Sequence, residues 1–131
     1  MRLLLDTHVW LWGLLEPERL GRRASRAFSE SGTESWLSPI SVWECALLIE
    51  RDRLAVEGLA DEWIRRALLA APLHEAPLNH EVALWSRRIS LGHPDPADRF
   101  LAATAAVYDL TLVTADRRLL AGRGYRVLNA R

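Results

Sequence analysis

The sequence predicts an α/β fold, a small parallel sheet of four or five strands covered by helices on both faces. Three observations lead there. Short apolar runs alternate with helical stretches along the chain, as in βαβ units whose strands are buried from both sides. Helix starts are marked by a capping residue followed by proline, at Ser38-Pro39 and Asp95-Pro96. Helical residues outnumber strand residues, so the sheet is small. With no repeat, low-complexity tract or linker, residues 1–131 are expected to form a single domain.

Taken in order, Arg2 to Leu5 reads as a buried strand ending at Asp6, and Thr7 to Leu15 as a helix with few polar positions. Glu16-Pro17 ends that helix, and Gly21 to Ser31 forms a more polar one with Arg22, Arg23 and Arg26 exposed. Ser35 to Ser38 is strand-like, and Ser38-Pro39 launches a helix from Ile40 to about Arg53. Leu59 to Ala71 is helical until Pro72, Leu73 to Leu78 is a short strand, and Asn79 opens a helix to Ile89. The run His93-Pro94-Asp95-Pro96-Ala97-Asp98-Arg99 starts a helix over Ala97 to Tyr108 whose many alanines let its backbone lie close to a sheet. Leu110 to Thr114 is the clearest strand signal. A helical turn at 115–120, a loop at Gly122 and Gly124, and a strand from Tyr125 to Leu128 complete the chain.

Composition excludes several classes. Half the residues are apolar and the charges cancel, which excludes disorder and argues against a dedicated duplex-DNA binder. The lone Cys45 rules out a disulfide framework and a cysteine metal site, and points to a reducing cytoplasm. The opening apolar run is stopped by Asp6 too early for a signal peptide, and no run approaches membrane-spanning length. All seventeen basic residues are Arg, so P-loop and Schiff-base chemistries, which need Lys, are absent.

Functional groups in a parallel sheet collect at the carboxyl ends of its strands. Asp6 follows the first strand, and Thr114 and Asp116 follow the Leu112-Val113 strand, so these acids are expected at one sheet edge. Each also reads as a helix N-cap. Glu44 lies in Ile40-Ser-Val-Trp-Glu-Cys-Ala-Leu-Leu-Ile49, apolar nearly all round and therefore expected to be buried. A carboxylate there needs an arginine partner or a metal ion. Asp98 shares a helical stripe with Leu101, Ala102 and Ala105 and begins on the sheet side, whereas capping explains Asp95. Carboxylates in one pocket repel and raise each other's pKa, which divalent cations relieve. All-oxygen ligation selects Mg²⁺ or Mn²⁺, ions that act on phosphate esters. Arg99, Arg117 and Arg118 adjoin the acids as candidate phosphate contacts, or as plain exposed charges.

The order Leu-Leu-Leu-Asp-Thr-His, Ile-Ser-Val-Trp-Glu, Asp-Pro-Ala-Asp-Arg-Phe-Leu-Ala-Ala-Thr-Ala and Leu-Val-Thr-Ala-Asp-Arg-Arg resembles the PIN-domain family, and more narrowly the VapC-type toxins of type II toxin–antitoxin pairs. The resemblance spans essentially the whole chain. It implies a PIN-like three-layer α/β/α sandwich and a Mg²⁺- or Mn²⁺-dependent ribonuclease site. Carried over by motif, the catalytic and metal-binding acids are Asp6, Glu44, Asp98 and Asp116, with Thr114 as polar helper and Asp95 and His8 bordering the site. It further implies an RNA substrate, a homodimer and a small antitoxin that blocks the site. Six tryptophans suit such interfaces. Trp10 and Trp43 read as core, and Trp12, Trp63 and Trp85 as partner contacts. His74, His80 and His93 read as surface or loop residues.

Two rival phosphotransfer classes fail on the residues: receiver domains need a Lys, and dehalogenase-like phosphatases need Asp-x-Asp where this chain has Asp6-Thr7-His8. The expected function is a metal-dependent endoribonuclease. The alternative is a non-catalytic PIN-like binding module whose acids hold a structural cation or a partner arginine.

Overall fold

The computed structural model describes residues 1–92 and 94–131. His93, at the head of the alanine-rich stretch, lies outside the described residues. The strands are β1 (Arg2–Leu5), β2 (Glu34–Leu37), β3 (His74–Glu75), β4 (Thr111–Thr114) and β5 (Arg126–Asn129). The helices are α1 (Thr7–Leu15), α2 (Arg22–Ser29), α3 (Pro39–Glu50), α4 (Ala60–Leu69), α5 (His80–Ser86), α6 (Pro96–Tyr108) and α7 (Arg117–Leu120), with a 3₁₀ turn at Pro17–Arg19. Every expected element is present, most with ends within two or three residues of expectation. The strand expected from Leu73 shrinks to His74–Glu75, an edge strand whose exposed His74 stacks on Trp36.

The five strands form one sheet in the order β3-β2-β1-β4-β5, with every neighbouring pair parallel. Alternation along the strands sorts side chains into two layers. Leu3, Leu5 and Val113 face the core shared with α1 to α4, including Val9, Trp10, Ala24, Cys45 and Ile64. Leu4 and Leu112 face the opposite core with Leu101, Ala102 and Ala105 of α6 and Leu119 of α7. The result is the expected three-layer sandwich.

Two features of this fold position the site. The chain winds outward from β1 through β2 to β3, then returns to place β4 on the other side of β1. That reversal opens a crevice at the carboxyl ends of β1 and β4. Their register pairs Leu5 with Val113, and the Asp6 N–H donates to the Val113 carbonyl at 3.0 Å, so Asp6 and Thr114 emerge side by side. The second feature is α6. Its Ala102, Ala103 and Ala105 are almost completely buried, so the helix backbone lies close to the sheet and carries Asp98 inward.

Candidate active site

Four of the five acids are placed by a local helix start. Asp6 caps α1, with its Oδ1 accepting the Thr7 N–H at 2.8 Å. Asp116 caps α7 by accepting the Arg118 N–H at 2.8 Å. Asp95 caps α6 by accepting from Ala97 at 2.9 Å and Asp98 at 3.4 Å. Asp98 sits in the first turn of that helix, and Glu44 sits mid-way along α3. The capping reading of Asp6, Asp95 and Asp116 is therefore correct, and it is also what aims them: all five carboxylates line one open cavity of about 810 Å³.

Threonine hydroxyls tie the acids to the frame. Thr114, fully buried, donates to Asp6 Oδ2 at 2.7 Å while accepting the Asp116 N–H at 3.0 Å. One hydroxyl thus couples the ends of β1 and β4. Thr7 donates to Glu44 Oε1 at 2.6 Å. His8 accepts the Ala115 N–H on Nε2 at 3.0 Å, which leaves its neutral-form proton on Nδ1, 3.4 Å from Asp6 Oδ2. Arg118 pairs with Asp116 at 3.3 Å on the cavity wall.

The electrostatics record the crowding. Burial pushes the Asp98 carboxyl up to about 7, and the charges of Asp6, Asp95, Asp116 and Glu44 push in the same direction. Burial likewise raises Glu44, the Thr7 hydroxyl pulls it back, and Asp6 and Asp95 raise it. Burial, with Asp98 and Asp116, drives the Tyr125 phenol to about 12. The donors are all oxygens on carboxylate and hydroxyl groups, a set that fits a hard divalent cation. As the side chains stand, no three His, Cys, Asp or Glu among the described residues are close enough to share one ion. Holding one ion between them would require these side chains to turn toward one another.

Several expectations are corrected. Arg99, a candidate phosphate contact, is not in the cavity lining: it donates to the carbonyls of Ser86, Ile89 and Leu91 at 2.8, 2.9 and 3.3 Å, closing the end of α5. Arg117 is exposed and outside the cavity lining. Trp43 is not core but 54% exposed, whereas Trp12, expected at an interface, is only 8% exposed under the Arg19 guanidinium. The cause is shared with Glu44. A helix apolar on all sides can offer only one side to the sheet, so α3 buries Ser41 and Cys45 and leaves Glu44 half-buried. The partner of Glu44 among the described residues is the Thr7 hydroxyl rather than an arginine. Trp10 is core as expected, and Trp85 is exposed.

Sequence reasoning missed Thr7, although the Asp6-Thr7-His8 triplet carried the signal. It also missed the far end of the cavity, where Arg19, Arg51 and Arg53 join the lining. Nothing local in the sequence joins those three to the acids.

The family model described as PIN domain matches residues 3–123. Ribonuclease VapC22 of Mycobacterium tuberculosis is 36% identical over 121 residues, 92% of this chain and 91% of that protein. Among solved structures, VapBC2 from Rickettsia felis bound to a DNA fragment from their promoter matches with a TM-score of 0.73 at 13% identity, covering 98% of each chain. VapBC-5 from Mycobacterium tuberculosis, a member of the VapBC family of toxin-antitoxin systems, matches with a TM-score of 0.60 at 17% identity, over 92% of this chain and 89% of that one. At such identities the two structures show the fold alone.

Proposed function

This chain belongs to the PIN domain family, and on that premise we propose that it is a divalent-metal-dependent endoribonuclease, the cytoplasmic toxin of a toxin–antitoxin pair. The observation that carries the reading is Asp98: a carboxyl held near neutral pKa by burial and by four surrounding acids marks a pocket with excess negative charge. The name of the relative, a ribonuclease 36% identical over most of both chains, supplies the substrate class.

In this proposal Asp6, Glu44, Asp98 and Asp116 hold Mg²⁺ or Mn²⁺. A hard cation held there supplies Lewis acidity toward a phosphodiester and toward the water that attacks it. The chain's own residues prepare the site. Thr114 and His8 fix the Asp6 carboxylate from two sides. Thr7 holds one oxygen of Glu44 and leaves the other for a ligand. Asp95 locks the first turn of α6 and so sets where Asp98 enters. Because water is the nucleophile, cleavage does not use the RNA 2′-hydroxyl and forms no cyclic phosphate; with O3′ as the leaving group, the bond broken is P–O3′ and the products carry a 5′-phosphate and a 3′-hydroxyl.

The partners belong to the same proposal. A small antitoxin covers the cavity, in keeping with the toxin-antitoxin systems among the proteins of similar fold. A second copy of the chain covers the apolar patch of Pro39, Ile40, Trp43, Leu78 and Phe100 beside it.

The test is RNA cleavage with Mg²⁺ by wild type, Asp6→Asn and Asp98→Asn, with chelator as control. Loss of cutting in both variants and with chelator supports the assignment. Unchanged cutting in both variants overturns it. Metal-dependent folding without any cutting assigns the pocket to a structural cation.

A further inference from the structure

We infer that the end of the cavity remote from the acids is a phosphate subsite for one unpaired RNA strand, built from Arg19, Arg51 and Arg53. The inference rests on the ribonuclease reading and extends it to how the substrate lies. Two helical stripes form the walls. On α1 the lining residues are Thr7, His8, Leu11, Trp12 and Leu15, and on α3 they are Trp43, Glu44, Leu47 and Leu48, with Arg51 following as the C-cap. His8, Leu11, Trp12 and Leu15, and Glu44, Leu47, Leu48 and Arg51, fall at helical spacing. Glu44 and Arg51 therefore share one face of α3, two turns and about 10 Å apart along its axis. Asp6, Glu44, Asp95, Asp98 and Asp116 line the cavity where Thr7 at the start of α1 meets Glu44, whereas Arg19, Arg51 and Arg53 follow the last turns of α1 and α3, with Glu16 paired to Arg19. The fourth lining arginine, Arg118, pairs with Asp116.

The arginines are held there by structure on both walls. Beyond α1, the Arg19 guanidinium lies 4.3 Å from the Trp12 ring and pairs with Glu16 at 3.1 Å, which fixes a flat cation on the rim. Beyond α3, Asp52 takes a left-handed φ of 56°, and the Arg53 and Leu54 N–H groups both return to the Leu48 carbonyl at 2.8 and 3.2 Å. That hook brings Arg53 back beside Arg51 over the trough instead of continuing away from it.

The arrangement suits a polyanion threaded lengthwise. Guanidinium groups take the backbone phosphates one or two nucleotides from the cleaved bond. The apolar middle, Leu11, Leu47 and Leu48 with the exposed Trp43 at the lip, receives bases that are not paired. The single strand follows from the apolar middle, because side chains there reach base faces only when the bases are unpaired.

The experiment measures binding and cleavage of unpaired RNA, in one series long enough to span acids and arginines and in another too short to do so. Binding is read on Asp6→Asn protein to prevent turnover, with and without Arg51→Ala and Arg53→Ala together. Arg22→Ala with Arg23→Ala on α2 is the control. The expected result is that the double variant loses the preference for long over short RNA through KM. The slope of log affinity against log salt should fall by about 1.4 for two phosphate contacts, which makes affinity about sevenfold less sensitive to salt between about 50 and 200 mM. The control pair leaves both readouts as in wild type. An unchanged length preference and slope, in protein that cuts RNA, overturns the subsite and leaves the trough to a protein partner. Equal cutting of fully paired RNA overturns the single-strand assignment. If wild type neither cuts nor binds RNA, it is the ribonuclease reading that fails.

Discussion

Asp98 should make the protein less stable in the absence of divalent cations, and the effect can be sized. Its carboxyl ordinarily ionises near 3.8 and in the folded protein near 7, so folding takes up a proton between those values. The native state binds more protons than the unfolded chain across that window, and stability therefore falls as pH rises through it. A rise from 3.8 to about 7 corresponds to about 4 kcal/mol. That figure is a ceiling, because water in the open cavity screens the charge and neighbouring carboxylates share the repulsion. Asn at this position cannot ionise. In chelator, Asp98→Asn should match wild type at about pH 4 and exceed it by about 2–4 kcal/mol at about pH 8, a rise in Tm of roughly 10 °C for a chain of this size. Thermal unfolding by circular dichroism across pH reads this directly. Mg²⁺ should then raise the wild-type Tm at about pH 8 and leave Asp98→Asn nearly unmoved, while the variant loses cleavage. A variant no more stable than wild type at about pH 8 in chelator would refute the reasoning, because the carboxylate would then be no burden to the fold.

Three further outcomes follow from single contacts. Thr114→Val removes the hydroxyl shared by Asp6 Oδ2 and the Asp116 N–H, and should lower stability by about 1–3 kcal/mol in denaturant titration while cutting cleavage further than that loss explains. Thr7→Val removes the hydrogen bond that pulls the Glu44 pKa down, so the acid limb of the pH–rate profile should move to higher pH. Ala102→Leu adds volume at a fully buried position between α6 and the sheet; about 1–3 kcal/mol of stability should be lost, and displacement of Asp98 should weaken the response of Tm to Mg²⁺.

Much of the molecule was legible because its signals are local. Asp6, Asp95 and Asp116 each start a helix, and a capping carboxylate is recognisable from the few residues that follow it. The same geometry aims Asp6 and Asp116 out of the ends of β1 and β4, so capping and clustering are not competing accounts of those two acids. The alanine run of α6 implied close approach to the sheet, and its burial agrees. Where sequence reasoning failed, it judged a residue by its type without knowing its neighbours. Arg99 stands next to Asp98 in sequence yet serves the end of α5, and Trp43 stands next to Glu44 yet faces outward.

What the sequence determined by itself was the order of strands and helices, their caps, the acids at strand ends and the resemblance that joined them. Periodicity and capping act within a few residues and survive in a linear reading. Tertiary structure alone decided that Thr114 reaches Asp6 across 108 residues, that Thr7 reaches Glu44 across 37, and that arginines from two helix ends share a trough with the acids. Those relations depend on the parallel register of β1 with β4 and on how α1 lies against α3, and no local pattern encodes either.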